Sequence, residues 1–341
     1  MKILFVSETY LDLYVPILEE LKNQGHDVVF IPGDALPSDC YSFETNRINR
    51  ALKKMYNRLF NVYEKYWINK IEELNIFKEK FDYYIDIQGT TSCPFLVNFL
   101  RKNNPNIKTC LYIWDSSNVY DYFRNAFLFE KVYTFDYNDS LNFDCAEFLP
   151  IYWCPTEHEN EIKYDLSIVG TEHDRRLEII HKVALQAKVY DLNFDFRIYI
   201  KEPPYSRNPL AKFWRKISPK WRRIYKEYNE NIKSEYAITN KIPVSKVEKL
   251  MAQTKCIVDT DNEKQTGVTP RLLWAIAIGK KVITTNKNIV KMPFYNSNQI
   301  RIIDRHNPVI DKDFITENYF HKASSYIEEL RIDKWIKYLI W

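Results

Sequence analysis

Short apolar runs separated by polar, turn-forming stretches recur along the 341-residue chain. Ile3 to Val6 is an uninterrupted apolar run, the pattern of a strand buried on both faces. Tyr14 to Asn23 places its apolar residues at helical spacing and stops before Gly25, and Val28 to Ile31 is a second strand-like run. Strand, helix, strand predicts a βαβ unit and hence an α/β domain with a parallel sheet. Phe43 to Ile76 reads as one long helical zone, with Leu, Tyr, Phe and Ile at helical spacing and Lys/Arg between them. Tyr83–Ile87, Cys110–Ile113, Val132–Phe135 and Glu147–Leu149 read as further buried strands. In such a sheet the strand-to-helix loops open on one crevice, where ligands are usually held.

The pattern starts afresh near Asp165. Leu166–Val169 reads as a strand, Gly170-Thr171 as a turn, Asp174–Ala187 as a helix and Phe194–Ile200 as the next strand. Val244–Gln253 is helical in spacing, Lys255–Asp259 is strand-like, and Ile300–Asp304 is a late strand. Residues from Phe314 to Trp341 are again helical in pattern, with Trp335, Tyr338 and Trp341 near the end. The chain therefore divides at 1–158, 159–313 and a helical tail, 314–341.

The densest information lies between Asp259 and Asn286. Gln265-Thr266-Gly267 turns the chain, Thr269 is a candidate N-cap, and Pro270 takes the first helical position, where its missing N–H costs nothing. Arg271 to Ile278 is apolar enough for a buried helix. Gly279 fits the left-handed C′ position, Lys280 and Lys281 suit the negative helix end, and Val282 to Thr285 opens another strand. A strand, a glycine turn and a helix N-terminus form a ready anion site, because unpaired N–H groups and the helix dipole converge there. Arg271 in the first turn adds a fork suited to phosphate oxygens.

This stretch resembles the donor-binding motif of GT-B glycosyltransferases, in particular bacterial proteins that build lipopolysaccharide and capsule. Gln265 to Arg271 matches Q-T-G-[LV]-T-x-R, and Gly279 to Asn286 matches G-K-K-[LV]-I-T-T-N. Tyr112-Ile113-Trp114-Asp115-Ser116, Thr134-Phe135-Asp136, Phe148-Leu149-Pro150, Asp165 to Gly170 with Asp174-Arg175-Arg176, Phe294-Tyr295-Asn296 and Ile303-Asp304-Arg305 are similar to the same group. The resemblance runs from about residue 80 to 315. It implies two Rossmann-like domains facing a cleft. Residues 1–158 would take the acceptor, 159–313 the nucleotide sugar, and the last helix would cross back to the first domain.

The resemblance also implies roles. Gly170, Thr171, His173, Arg176, Gln265, Thr266, Gly267, Val268, Thr269 and Arg271 would bind the donor diphosphate. Backbone N–H groups and arginine there would neutralise the leaving phosphate without a metal. Trp274 departs from the motif, which has an acidic residue at that position, so either Glu263 or Asp261 would meet the ribose instead, or the donor differs, or donor binding is lost. Asp115, after a buried strand, is the candidate general base, with Glu8 and Asp86 as rivals; equally, Asp-Ser-Ser favours an Asx turn. Asp259-Thr260-Asp261 has the DxD form of a metal site, but its strand–turn–helix context favours a chance match, and neither metal nor cofactor is expected. The nucleotide sugar is the substrate. Two other readings stay open: a nucleotide-sugar epimerase of the same fold, and a non-catalytic module that binds glycan or scaffolds an assembly.

Composition narrows the setting. Hydrophobic residues make up 45% and charged residues 28%, the balance of a soluble globular protein, and aromatic residues reach 16%, which reads as an aromatic-rich core. The net charge of +4 is too modest to argue for nucleic acid, and no such partner is expected. Six cysteines are scattered without a CxxC pair, several inside apolar strands, which favours reduced thiols. The opening apolar run is too short for a signal peptide, and no stretch reaches membrane-spanning length, so a cytoplasmic protein is expected. One segment stands out: residues 205–228 alternate eight Lys/Arg with Phe213, Trp214, Ile217, Trp221, Ile224 and Tyr225. It suits a peripheral contact with an anionic membrane, and a lipid-linked acceptor would fit such a location; a solvated basic face is the other main reading, and nucleic-acid binding a third with little else to support it.

Overall fold

The computed structural model describes residues 1–9, 12–33, 55–155, 161–203, 213, 215–318 and 323–341. The chain forms two compact units. The first holds Met1–Cys154, Lys264–Val268 and Glu328–Trp341; the second holds Pro155–Glu263 and Thr269–Ile327.

The first unit is a six-stranded parallel sheet in the order β2-β1-β3-β4-β5-β6. Its elements are β1 (Lys2–Ser7), α1 (Tyr14–Asn23), β2 (Asp27–Pro32), α2 (Val62–Glu73), β3 (Tyr83–Ile87), α3 (Pro94–Asn103), β4 (Lys108–Ile113), β5 (Lys131–Thr134), α4 (Tyr137–Asn142) and β6 (Glu147–Phe148). The apolar runs become strands because helices cover the sheet, leaving β1 and β3 buried almost along their length. The helical zone expected over Phe43–Ile76 is interrupted. Asn61 takes a left-handed conformation (φ 48) just before α2, which no continuous helix can accommodate. Residues 43–54 of that zone lie outside the described residues.

The second unit is also a six-stranded parallel sheet, in the order β12-β11-β10-β7-β8-β9. It comprises β7 (Tyr164–Thr171), α5 (Arg176–Val189), β8 (Phe194–Tyr199), α6 (Pro219–Asn231), β9 (Ala237–Ile238), α7 (Val244–Ala252), β10 (Thr254–Asp259), α8 (Pro270–Ala277), β11 (Lys281–Thr284), β12 (Ile300–Ile302) and α9 (Lys312–Thr316). Leu166, Ile168, Cys256, Val258 and Ile283 from the sheet pack with Ile180, Val183 and Ala184 of α5 in one apolar core. Helix α5 starts two residues later than the pattern suggests, because Asp174 (φ 50) and Arg175 (φ 62) are both left-handed. Helix α8 ends as its sequence dictates: Gly279 (φ 74) donates to Ile276 O and Lys280 N to Ala275 O, a Schellman closure.

Each sheet has one point where chain order reverses, the place where open α/β sheets bind ligands. In the first unit it lies between β1 and β3, and in the second between β7 and β10. The described residues contain no helix long and apolar enough to cross a membrane. Cys93, Cys110, Cys145, Cys154 and Cys256 are free thiols.

The tail does not form one helix. Phe314 and Ile315 of α9 belong to the second unit's core, whereas α10 (Ile332–Leu339) packs in the first unit. There Trp335 is fully buried, its Nε1 donates to Pro150 O at 2.9 Å, and its ring meets Tyr112 and Tyr152 edge-on. Trp335→Ala should therefore destabilise the first unit by about 3–5 kcal/mol, read as a lowered urea midpoint. Trp335→Phe, which keeps most of the packing and loses the hydrogen bond, should cost less.

Candidate functional site

The reversal point of the second unit is built from arginines. Strand β7 ends at Gly170-Thr171, and α5 begins at Arg176, whose side chain folds back over that strand end. Arg176 is only 3% exposed. Its Nε donates to Thr260 Oγ1, its Nη1 to Thr171 O, and its Nη2 to Thr260 O at 2.8 Å and to His173 Nε2 at 2.8 Å. All these acceptors are neutral, and among the described residues no carboxylate pairs with it. Burial, with Arg271 beside it, pulls the guanidinium down to about 9, still charged at neutral pH.

Arg271, in the first turn of α8, lies against the same strand end. Its Nε donates to Val169 O at 2.9 Å and its Nη1 to Asp259 Oδ1 at 2.9 Å, while Nη2 has no hydrogen-bond partner among the described residues. Gly170 makes this convergence possible. A Cβ there would come within 2.9 Å of both Arg176 Nη1 and Arg271 Nη2. Thr269 caps α8 by accepting from Leu272 N, and it also donates to Asp259 Oδ1 at 2.7 Å. Asp259, at 0% exposure, receives a third bond from Thr284 Oγ1 at 2.8 Å.

Asp261 is held by Thr285 Oγ1 and by Arg305 Nη2, and Arg305 also meets Glu263 at 3.6 Å. Both carboxylates of the Asp259-Thr260-Asp261 motif are thus engaged by guanidinium groups. Trp274 sits half-buried one helical turn beyond Arg271, on the same edge of α8.

His173 is the neutral partner in this cluster. Its Nε2 accepts from Arg176, which leaves the proton on Nδ1, facing Asp174 Oδ2 at 3.1 Å. Its side chain is still 39% exposed; partial desolvation and the neighbouring Arg176 cation lower its pKa from 6.5 to about 4, and the exposed part of the ring lets solvent screen that effect. Two successive left-handed residues beside it, Asp174 and Arg175, store backbone strain in the loop.

The first unit gathers carboxylates. Asp115 follows β4 and accepts from Ser116 N at 2.8 Å, Tyr122 OH at 2.8 Å and Gln265 Nε2. It is half-buried, and burial raises its pKa. Asp136 caps α4 through Asn138 N and Asp139 N, and accepts from Thr266 N at 2.8 Å and Thr266 Oγ1. Gly267 lies so close to the Phe135 ring that a Cβ would overlap it. Asp139 accepts from Ser117 N and Oγ.

The sequence candidates therefore fall into separate groups. Gly170, Thr171, His173, Arg176, Thr269 and Arg271 are brought together in the second unit, and Glu263 joins them through Arg305. Gln265, Thr266, Gly267 and buried Val268 pack in the first unit instead, with Gln265 and Thr266 on Asp115 and Asp136. Glu8 and Asp86 lie at the first unit's reversal point, both at 1% exposure. Glu8 accepts from Thr90 Oγ1, while Asp86 accepts from Tyr84 OH, Ser92 Oγ and Gly89 N, and burial raises Asp86 to about 6. Thr260, Arg305, Asp136 and Asp139 are not among the candidate catalytic or donor-binding residues of the sequence. Arg305 and Asp136 were within reach, since both fall in the recurring Ile-Asp-Arg and Thr-Phe-Asp blocks.

No protein-family model matches the chain, and no curated protein matches it by sequence. Solved structures do. The apo structure of OtsA aligns over 99% of this chain and 98% of that one, with a TM-score of 0.55 and 11% identity. The chain has the GT-B fold. The apo form of the lipopolysaccharide outer core galactosyltransferase WaaB aligns over 99% and 98%, with a TM-score of 0.44 and 12% identity. Arabidopsis thaliana UGT89C1 complexed with quercetin aligns over 99% and 92%, with a TM-score of 0.45 and 10% identity. Within its GT-B fold, this chain places the arginine cluster at the reversal point of its second sheet.

His173 gives the site a pH signature. Its depressed pKa contributes stability that is fully present above 6.5 and is lost as pH falls toward and through about 4. Asp86 has the opposite sign: its raised pKa favours the fold at low pH, and that gain is lost as pH rises through about 6. The difference between wild type and His173→Gln isolates the histidine. Urea midpoints measured from pH 7 to pH 4 should fall less steeply in the variant.

Proposed function

We propose that the protein is a glycosyltransferase that binds a nucleotide-sugar donor in its second unit and transfers the sugar to a glycan hydroxyl. One observation carries the reading: the buried guanidinium of Arg176, hydrogen-bonded only to neutral acceptors, lies beside Arg271 at a sheet reversal point. Two buried cations beside the single carboxylate of Asp259 are costly to hold, and a bound anion relieves that cost. A diphosphate suits the place, because Arg271 Nη2 is available and the capped N-terminus of α8 adds its dipole.

In this reading Arg271, with the positive end of α8, stabilises the charge that grows on the departing nucleoside diphosphate. Arg176 supplies field more than contacts, since most of its N–H groups are already bonded to protein. His173, Thr171 and Thr260 hold it in place, and Gly170 leaves it room. The guanidinium groups take the part a divalent cation would otherwise play, and the engagement of Asp259 and Asp261 by arginine supports a metal-independent reaction. Asp115 is the proposed base for the acceptor hydroxyl. Its raised pKa moves it toward the range a general base needs, and Tyr122 and Gln265 orient it. The resemblance of the QTGVTPR and GKKVITTN blocks to lipopolysaccharide and capsule enzymes supports a surface polysaccharide as the acceptor class.

A panel of nucleoside diphosphates tested by thermal shift should give one clear stabilising ligand. Arg271→Ala should weaken that ligand by roughly ten- to a hundredfold, the scale of a lost charged hydrogen bond. Gly170→Ala should weaken it too, by displacing both arginines. Absence of a shift with every nucleotide, in folded protein, would favour the non-catalytic module instead. Asp115→Asn should keep nucleotide binding while lowering turnover by about 10²–10⁴-fold, and a chelator should leave wild-type turnover unchanged.

A further inference from the structure

We infer that helix α6 forms a docking surface for an anionic lipid bilayer. The helix runs from Pro219 to Asn231 and has no buried residue. Trp221, Ile224 and Tyr228 lie half-buried along one side, with Tyr228 packed on the second unit's core. Arg222, Arg223 and Lys226 are exposed on the other side, and Tyr225, 38% exposed with its ring 6.2 Å from that of Trp221, borders them. Just before the helix, Phe213 is 59% and Ile217 39% exposed, and Lys216 is exposed between them. The guanidinium of Arg215 lies 4.4 Å from the centre of the Trp221 ring.

Helix stability does not explain this arrangement. A helix is favoured by acidic residues in its first turn and basic ones in its last, yet α6 has neither. Lys220, Arg222 and Arg223 crowd the positive end instead, and Glu227 and Glu230 stand in the second half. Arg222, Arg223 and Lys216 form no ion pair among the described residues; Lys226 reaches Glu230 at 3.8 Å. The positive charge is thus left to act outward.

The shape of the patch selects its partner. Its cations are spread over a convex helix face and do not converge on one point, which suits a field of headgroups better than a single small anion. Exposed aromatic and aliphatic side chains among the cations match the boundary between headgroups and acyl chains. A second copy of the chain would bring like charges together. The surface shares no residue with the arginine cluster, so it stands apart from the transferase reading. Only its corollary, that the glycan acceptor is carried on a membrane lipid, rests on that reading.

Co-sedimentation of the full chain with vesicles tests the surface. Phosphatidylcholine vesicles containing phosphatidylglycerol should bind the protein, pure phosphatidylcholine vesicles should bind much less, and raised salt should weaken the contact. Arg222→Glu with Arg223→Glu should reduce binding at least about tenfold, and Tyr225→Ser should reduce it while leaving the charge intact. Circular dichroism and nucleotide binding should be unchanged in these variants, which separates failure of the surface from failure of the donor site. No binding to anionic vesicles by the folded wild type would overturn the inference. Equal binding by the charge-reversal variant would also overturn it, as would loss of an RNA oligonucleotide contact with vesicle binding untouched.

Discussion

Two guanidinium groups meet over the α-carbon of Gly170, and the second unit is arranged to make that possible. Like charges at this distance repel, and burial removes the water that would screen them. The fold offsets the repulsion with main-chain carbonyls of Val169, Thr171 and Thr260, with the Asp259 carboxylate, and with a histidine kept neutral. A methyl group on Gly170 would drive the pair apart. Arginine is suited to the role because it stays charged even with its pKa drawn down to about 9. Positive charge is thereby fixed where the strand order reverses, before any ligand arrives. Such preorganisation lets an electrostatic site stabilise charge that develops in a reaction.

The first unit has the complementary character. Asp115, Asp136 and Asp139 are close enough for Asp136 to disfavour ionisation of both neighbours, and each is held by several donors. Asp136 has no water-facing role. It caps α4 and fixes the segment Lys264–Val268 through Thr266, while the Phe135 ring leaves room there only for glycine. That segment leads directly into Thr269 and Arg271.

Much of this was legible in the sequence, for local reasons. The strands were readable because parallel strands buried on both faces are continuous apolar runs, as in Ile3–Val6 and Val282–Thr285. Helix α8 was readable end to end, since Thr269, Pro270 and Gly279 each answer a specific backbone demand. The start of α5 was missed because nothing in Asp174-Arg175 announces two left-handed residues. The break at Asn61 was hidden by helical spacing that continues across it. The destination of Gln265 and Thr266 was not readable either, because a motif beside a helix N-terminus gives no sign that its side chains are spent on Asp115 and Asp136. The Asp259-Thr260-Asp261 motif resembles a metal site in sequence, yet only coordinates show an arginine on each carboxylate.

The most direct test of the central claim is a crystal structure with a bound nucleoside diphosphate. Phosphate oxygens should lie about 3 Å from Arg271 Nη2, with Arg176 still held by Thr260 and His173. A diphosphate bound away from Arg271, or one seated only through a metal on Asp259 and Asp261 with the arginines displaced, would contradict it.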